Sequence, residues 1–133
     1  MLKVEHIGIA VQSLQKSIPL FEALLNTSCY KQEQVDSEAV RTAFFQKGET
    51  KVELLEPTNP ESVIARFLEK KGEGMHHIAF DVADIHAEMA RLAAAGFTLL
   101  NPIPKQGADN KLVCFLHPRD TSGVLVELCQ EIF

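Results

Sequence analysis

The strings VEHIGIAV (residues 4–11) and MHHIAFDV (residues 75–82) both contain His-Ile-x-x-x-Val, a match that pairs His6 with His77 and leaves His76 out of register. Further on, TKVELLEP (residues 50–57) and GVLVELCQ (residues 123–130) share Val-Glu-Leu, which puts Glu53 and Glu127 at corresponding points. Two motifs in the same order at nearly the same spacing mark two copies of a unit made of a strand, a helix and further strands. Each His strand is followed by apolar residues at helical intervals: Leu14, Ile18, Phe21 and Leu25 after the first, Ile85, Met89 and Leu92 after the second. Asp84 is a candidate N-cap and Gly96 a candidate stop for the second helix, while Pro19 predicts a kink or a late start in the first. Between the copies, Asn59 as N-cap, Pro60 at the first helical position, the face Val63, Ile64, Phe67, Leu68 and Gly72 as a stop predict a connecting helix. NPIPKQGADNK (residues 101–111) carries two prolines and a glycine and reads as a long loop.

With 133 residues, 46% of them apolar, the chain suits one domain and not two ordinary ones. No apolar stretch reaches the ~20 residues of a membrane helix, and the start lacks the pattern of a secretory signal, so no membrane association is expected. The three cysteines, Cys29, Cys114 and Cys129, are odd in number and without CxxC spacing, which favours reduced packing residues and a cytoplasmic setting. Eighteen acidic against thirteen basic side chains, with no run of Lys or Arg, argue against a nucleic-acid partner. Any phosphate would have to be met by a local basic patch.

Side chains alternate across a strand, so His6, Gly8 and Ala10 share one face and Ile7, Ile9 and Val11 the other. In the second copy His77, Ala79 and Asp81 lie together, opposite Ile78, Phe80 and Val82. The apolar faces suit packing under helices; the histidine faces carry small or polar neighbours and leave room for a pocket. His76 points the other way and reads as a structural histidine. A carboxylate on a pocket-facing strand position is costly unless a cation or donor meets it. Two imidazoles and two carboxylates at matched positions suit a borderline divalent metal, cobalt, manganese, nickel, iron or zinc, and the two carboxylates balance its charge.

At HIGIAV, KVELLEP, GMHHIAFDV and FLHPRDTSGVLVELCQ the chain resembles the vicinal oxygen chelate, or glyoxalase-like, superfamily over essentially its whole length. Within it the last two segments resemble the methylmalonyl-CoA epimerases. The resemblance implies an α+β fold, two βαβββ modules in tandem forming a glyoxalase-like half-barrel, with module 1 at about 1–57, the linker helix at about 59–72 and module 2 at about 74–133. It also implies His6, Glu53, His77 and Glu127 as ligands of a divalent ion, with cobalt favoured, and a homodimer. The family reaction exchanges the C2 epimers of methylmalonyl-CoA by removing and returning a proton through a metal-stabilised enolate. Glu127 is the first candidate base. Some family members carry a further glutamate on the strand before the Glu53 strand, but AVRTAFF holds none, so Glu53 is the candidate for the opposite face, ahead of a water held by Thr42.

For the coenzyme A phosphates the candidates are Lys105, Lys111 and Arg119, each also readable as a solvated loop charge. His117 reads as a turn-stabilising residue and His86 carries no assigned role. The alternatives are a glyoxalase I-type lyase and a metal-free binding protein on the same fold. An extradiol dioxygenase needs two histidines and one carboxylate with open positions, and a fourth ligand at Glu53 argues against it.

Overall fold

The computed structural model describes residues 1–132. Its elements run β1 (Lys3–Ala10), α1 (Leu14–Leu25), β2 (Lys31–Val35), β3 (Val40–Lys47), β4 (Thr50–Pro57), α2 (Val63–Lys71), β5 (Gly74–Asp81), α3 (Ile85–Ala94), β6 (Lys105–Gln106), β7 (Lys111–Leu116) and β8 (Val126–Glu131). The order βαβββ therefore occurs twice, with α2 between the copies, as the internal repeat predicts. The chain divides into two compact units, one of residues His6–His76 and one of Met1–Glu5 with the chain from His77 onward. Among the described residues no helix is long and apolar enough to cross a membrane.

In the first unit β1 runs parallel to β4, and β3 pairs antiparallel with both β2 and β4. Ser13 caps α1 by accepting from the Lys16 amide at 3.4 Å, and Asn26 ends it in the left-handed region at φ 52°. The helix includes Pro19 and begins at Leu14, without the late start that was one of the two outcomes the proline predicts. Its apolar stripe overrides the lost amide donor: Leu14 forms a core with Ala43, Phe45 and Leu54, with Ile18, Phe21 and Leu25 packed against it. Phe21 and Phe45 meet with ring centroids 6.4 Å apart.

The second unit repeats the arrangement, with β5 parallel to β8 and β7 antiparallel to both β8 and β6. Asp84 caps α3, its carboxylate accepting from the Ala87 amide at 3.1 Å, and Gly96 beyond the end takes φ 99°. Ile85, Met89 and Leu92 bury their side chains with Cys114, Leu116, Val126 and Leu128, and Ile78 and Phe80 pack against them. In both units the apolar strand face lies under a helix, as alternation predicts, so the histidine-bearing face is turned away from it.

Two boundaries differ from the sequence reading. The connecting helix is capped by Ser62, whose hydroxyl accepts from the Ala65 amide at 3.1 Å, and not by Asn59. Asn59 instead accepts from the Glu61 amide at 2.9 Å, a tight Asx turn that uses up its side chain before the helix begins. Residues 101–111 are not all loop, because Lys105–Gln106 pairs with β7 as β6 and Ala108–Asn110 makes a 3-10 turn. Short pairing of this kind carries no hydropathy period.

Candidate active site

Each unit builds a buried His–Glu pair by the same local device. In the first, the parallel ladder sets Gly8 beside Glu53, and His6 precedes Gly8 by two residues on the same face. In the second, Ala79 stands beside Glu127 and His77 precedes it by two. The small residue leaves space over the sheet, so the glutamate can lean across to the imidazole. His6 Nδ1 lies 3.2 Å from Glu53 Oε2, and His77 Nε2 lies 3.5 Å from Glu127 Oε1. All four residues are buried, at 4–6% exposure.

On its other flank each glutamate faces a phenylalanine: Phe44 pairs with Glu53 and Phe115 with Glu127. Phe115 meets His77 edge-on at 5.9 Å, and Lys105 lies over the Phe115 ring at 5.8 Å. Lys31 lies over Phe44 at 4.5 Å, with Tyr30 tilted against the same ring at 6.1 Å. The matched phenylalanines and the Lys31 partner are absent from the sequence reading. Their signal is the cross-strand register, which becomes visible only once the hairpins are paired.

The donor set of each unit, one imidazole and one carboxylate held within 3.5 Å, fits a borderline divalent cation. Burying a carboxylate is costly without a cation or several donors, and a neutral imidazole offers a single N–H. The residues at these positions therefore fit a metal by chemistry and by burial.

The chain is matched over residues 5–115 by the model of the glyoxalase, bleomycin resistance protein and dioxygenase superfamily. It is 39% identical to the ethylmalonyl-CoA/methylmalonyl-CoA epimerase of Cereibacter sphaeroides, covering 96% of this chain and 97% of that one. It is also 39% identical to the human mitochondrial methylmalonyl-CoA epimerase, over 96% of this chain and 73% of that protein. The chain belongs to the methylmalonyl-CoA epimerase family. Among solved structures, the epimerase from Mycobacterium tuberculosis superposes with a TM-score of 0.93 at 32% identity, covering 98% of this chain and 89% of that one. A methylmalonyl-CoA epimerase in complex with methylmalonyl-CoA and ammonium superposes with a TM-score of 0.92 at 33% identity, covering 98% and 95%. The α+β, glyoxalase-like fold follows, and the family is one of enzymes.

In this epimerase-family chain the remaining expected residues are placed as follows. Lys105 is on β6 at the Phe115 side of the Glu127 face. Arg119 is exposed in the 3-10 turn Pro118–Asp120, its guanidinium donating to Thr98 Oγ1 at 3.2 Å. His117 caps that turn, Nδ1 accepting from the Arg119 amide at 3.1 Å, which is the stabilising role expected of it. Asp120 accepts from the Thr98 amide at 2.8 Å, and this bond first of all holds its carboxyl below the usual carboxylate range. Lys111 departs from the expectation of a loop cation for coenzyme A phosphates. It opens β7 at 7% exposure, with its ammonium 4.0 Å from buried Glu5. The hairpin with β6 draws it into the sheet.

Thr42 also departs from its expected role beside Glu53. It shares the Phe44 face of β3 but is fully enclosed, and its hydroxyl has no hydrogen-bond partner among the described residues. An unsatisfied buried hydroxyl costs about 1–3 kcal/mol, so Thr42→Val is expected to raise unfolding stability by about 1 kcal/mol in urea denaturation. A loss of stability instead would show that the hydroxyl is satisfied.

His76 packs toward α2, as its strand position predicts, edge-on to Phe67 at 5.0 Å. Burial, and secondarily Lys71, lowers its pKa to about 4, so the native ring is neutral at pH 7. The unfolded chain binds this proton near pH ~6.5. Stability from this group is complete above that pH and falls as the pH drops toward about 4, by no more than ~3 kcal/mol because water reaches part of the ring. Urea titrations of chelator-treated protein at several pH values are expected to show a flatter slope for His76→Ala than for the unmodified chain. The same variant is expected to take up added cobalt as the unmodified chain does; a strong loss of uptake in His76→Ala alone would assign His76, in place of His77, to any metal site.

Proposed function

We propose that this chain epimerises methylmalonyl-CoA at C2, with His6, Glu53, His77 and Glu127 holding one divalent ion, cobalt in the first instance. The observation that carries this reading is the buried His–Glu pair found at the same repeat position in each unit, in a chain of the epimerase family. The chemistry such an ion supplies is Lewis-acid stabilisation of the negative charge that develops between the thioester and the carboxylate when the C2 proton leaves. Glu127 removes or returns that proton from one side. Its place between Ala79 and Phe115 gives it a small neighbour on one flank and an apolar wall on the other. Glu53, between Gly8 and Phe44, does the same from the opposite side.

His6 and His77 orient the two carboxylates through the 3.2 and 3.5 Å contacts. Lys105 and Arg119, both exposed, are the proposed contacts for the phosphates of coenzyme A.

The test is deuterium uptake at C2 of methylmalonyl-CoA, followed by NMR, in chelator-stripped protein and again after cobalt is restored. Cobalt-dependent exchange with loss of stereochemical purity is the expected result. No exchange in either state, combined with turnover of methylglyoxal and glutathione, would replace the epimerase reading by a lyase.

A further inference from the structure

Phe115, which flanks Glu127 and meets His77 edge-on, lies on a strand whose outer neighbour is interrupted. Residues 98–100 run antiparallel beside β7: the His117 amide donates to the Thr98 carbonyl at 2.8 Å, the Leu100 amide donates to the Phe115 carbonyl at 2.8 Å, and Leu99 bridges Leu116. Pairing resumes at β6, where Lys105 stands opposite Val113. Continued regularly, the first stretch would take the Phe115 amide to the Leu100 carbonyl and the Val113 carbonyl to the amide of residue 102. Residue 102 is a proline, which has no amide hydrogen, and Pro104 follows it.

The side chain of Asn101 fills the gap. Its Oδ1 accepts from the Phe115 amide at 2.9 Å, and its Nδ2 donates to the Val113 carbonyl at 3.1 Å and to the Ile103 carbonyl at 3.0 Å. One carboxamide thus stands in for the acceptor and the donor of the interrupted backbone. It grips β7 on both sides of Cys114, whose thiol donates to the Asn101 carbonyl at 3.5 Å. In the first unit β2 runs unbroken from Lys31 to Val35, with Lys31 opposite Phe44 and the Tyr30 amide donating to the Phe44 carbonyl at 3.1 Å. The phenylalanine beside Glu53 is therefore held by main chain, and the one beside Glu127 by a side chain.

We propose that Asn101 is a positioning residue for the Glu127 half of the reaction and acts through Phe115, an assignment that rests on the epimerase reading above. Phe115 faces Glu127 across the ladder of β7 and β8, packs on Ala79, Val113 and Cys129, and holds its ring 5.9 Å from that of His77. Releasing its amide lets the ring shift against the His77–Glu127 pair, and a misplacement of about 1 Å in a reacting geometry costs on the order of 10²-fold in rate. Asn101 neither takes nor gives a proton. Because its bonds lie within the second unit, the effect falls on one proton transfer and not on the other.

The test compares Asn101→Ala and Asn101→Asp with the unmodified chain, all supplied with cobalt, by solvent-deuterium uptake from each pure C2 epimer of methylmalonyl-CoA and by amide hydrogen exchange at Phe115. In Asn101→Ala the Phe115 amide is expected to exchange about 10-fold faster, the worth of one hydrogen bond. Uptake from the epimer that Glu127→Gln suppresses is expected to fall roughly 10- to 100-fold, and uptake from the other by less than about twofold. Asn101→Asp keeps the acceptor for the Phe115 amide and loses both donors, so it is expected to fall between the other two on both readouts. The double variant Asn101→Ala/Phe115→Leu is expected to be no slower than Phe115→Leu alone, since the asparagine acts through that ring. Equal slowing from both epimers, no slowing from either, or additive effects in the double variant would make Asn101 a purely structural clamp; each result overturns the proposal. An unmodified protein that exchanges the C2 proton, yet whose variants show any of these patterns, loses only this inference. An unmodified protein that leaves C2 untouched loses the epimerase reading and the Asn101 assignment with it.

Discussion

Glu127→Gln is expected to lower kcat for methylmalonyl-CoA epimerisation by roughly 10²–10⁴-fold, the range for one positioned general acid–base group. Glutamine keeps the size and the polar oxygen of the side chain and removes the proton-accepting charge. The change therefore separates the base from the space it fills beside Ala79 and Phe115. Stopped-time assays by chiral analysis of the product, run with metal analysis of the same sample, check the result. A variant that keeps its metal and loses turnover supports Glu127 as base. One that keeps both would move the base elsewhere. If Glu53 serves the opposite side, Glu127→Gln protein retains slow deuterium uptake into one epimer only, and Glu53→Gln protein into the other.

The second large effect is thermal. Cobalt at 100 to 1,000 times its dissociation constant is expected to stabilise the native chain by about 2.7–4.1 kcal/mol, by mass action on a site that the unfolded chain lacks. For a chain of this size that raises the unfolding midpoint by on the order of 10 °C, readable by calorimetry with and without chelator. His6→Ala and His77→Ala are each expected to abolish most of the rise, because each removes one nitrogen donor from a four-residue set. If one substitution abolishes it and the other leaves it intact, the ion belongs to one unit alone. If neither matters, the two buried His–Glu pairs are structural, and their 3.2 and 3.5 Å contacts are hydrogen bonds and nothing more.

Much of the site was legible before any coordinates. The two His-Ile-x-x-x-Val strings and the two Val-Glu-Leu strings named His6, Glu53, His77 and Glu127, and strand alternation put each histidine on the face turned away from its helix. His76 was separated from His77 by that same alternation, and it packs on Phe67. The phenylalanines flanking each glutamate were not legible. Phe44 and Phe115 lie nine and twelve residues before their glutamates, across a hairpin whose register no local pattern fixes.

Lys111 shows where local reading ends. In sequence it closes a stretch with two prolines and a glycine and looks like a solvated cation. Its burial depends on β6 pairing with β7 and on Glu5, more than a hundred residues away, lying 4.0 Å from its ammonium. The sequence by itself determined the duplicated βαβββ order, the helix-facing strand sides and the matched repeat positions of His6, Glu53, His77 and Glu127, because periodicity and repetition are local properties of the chain. Only the tertiary structure decided which charges are buried, which neighbours crowd each carboxylate and which lysine meets an acid. Those are set by contacts between segments distant in sequence, where desolvation and register, and not propensity, control the outcome.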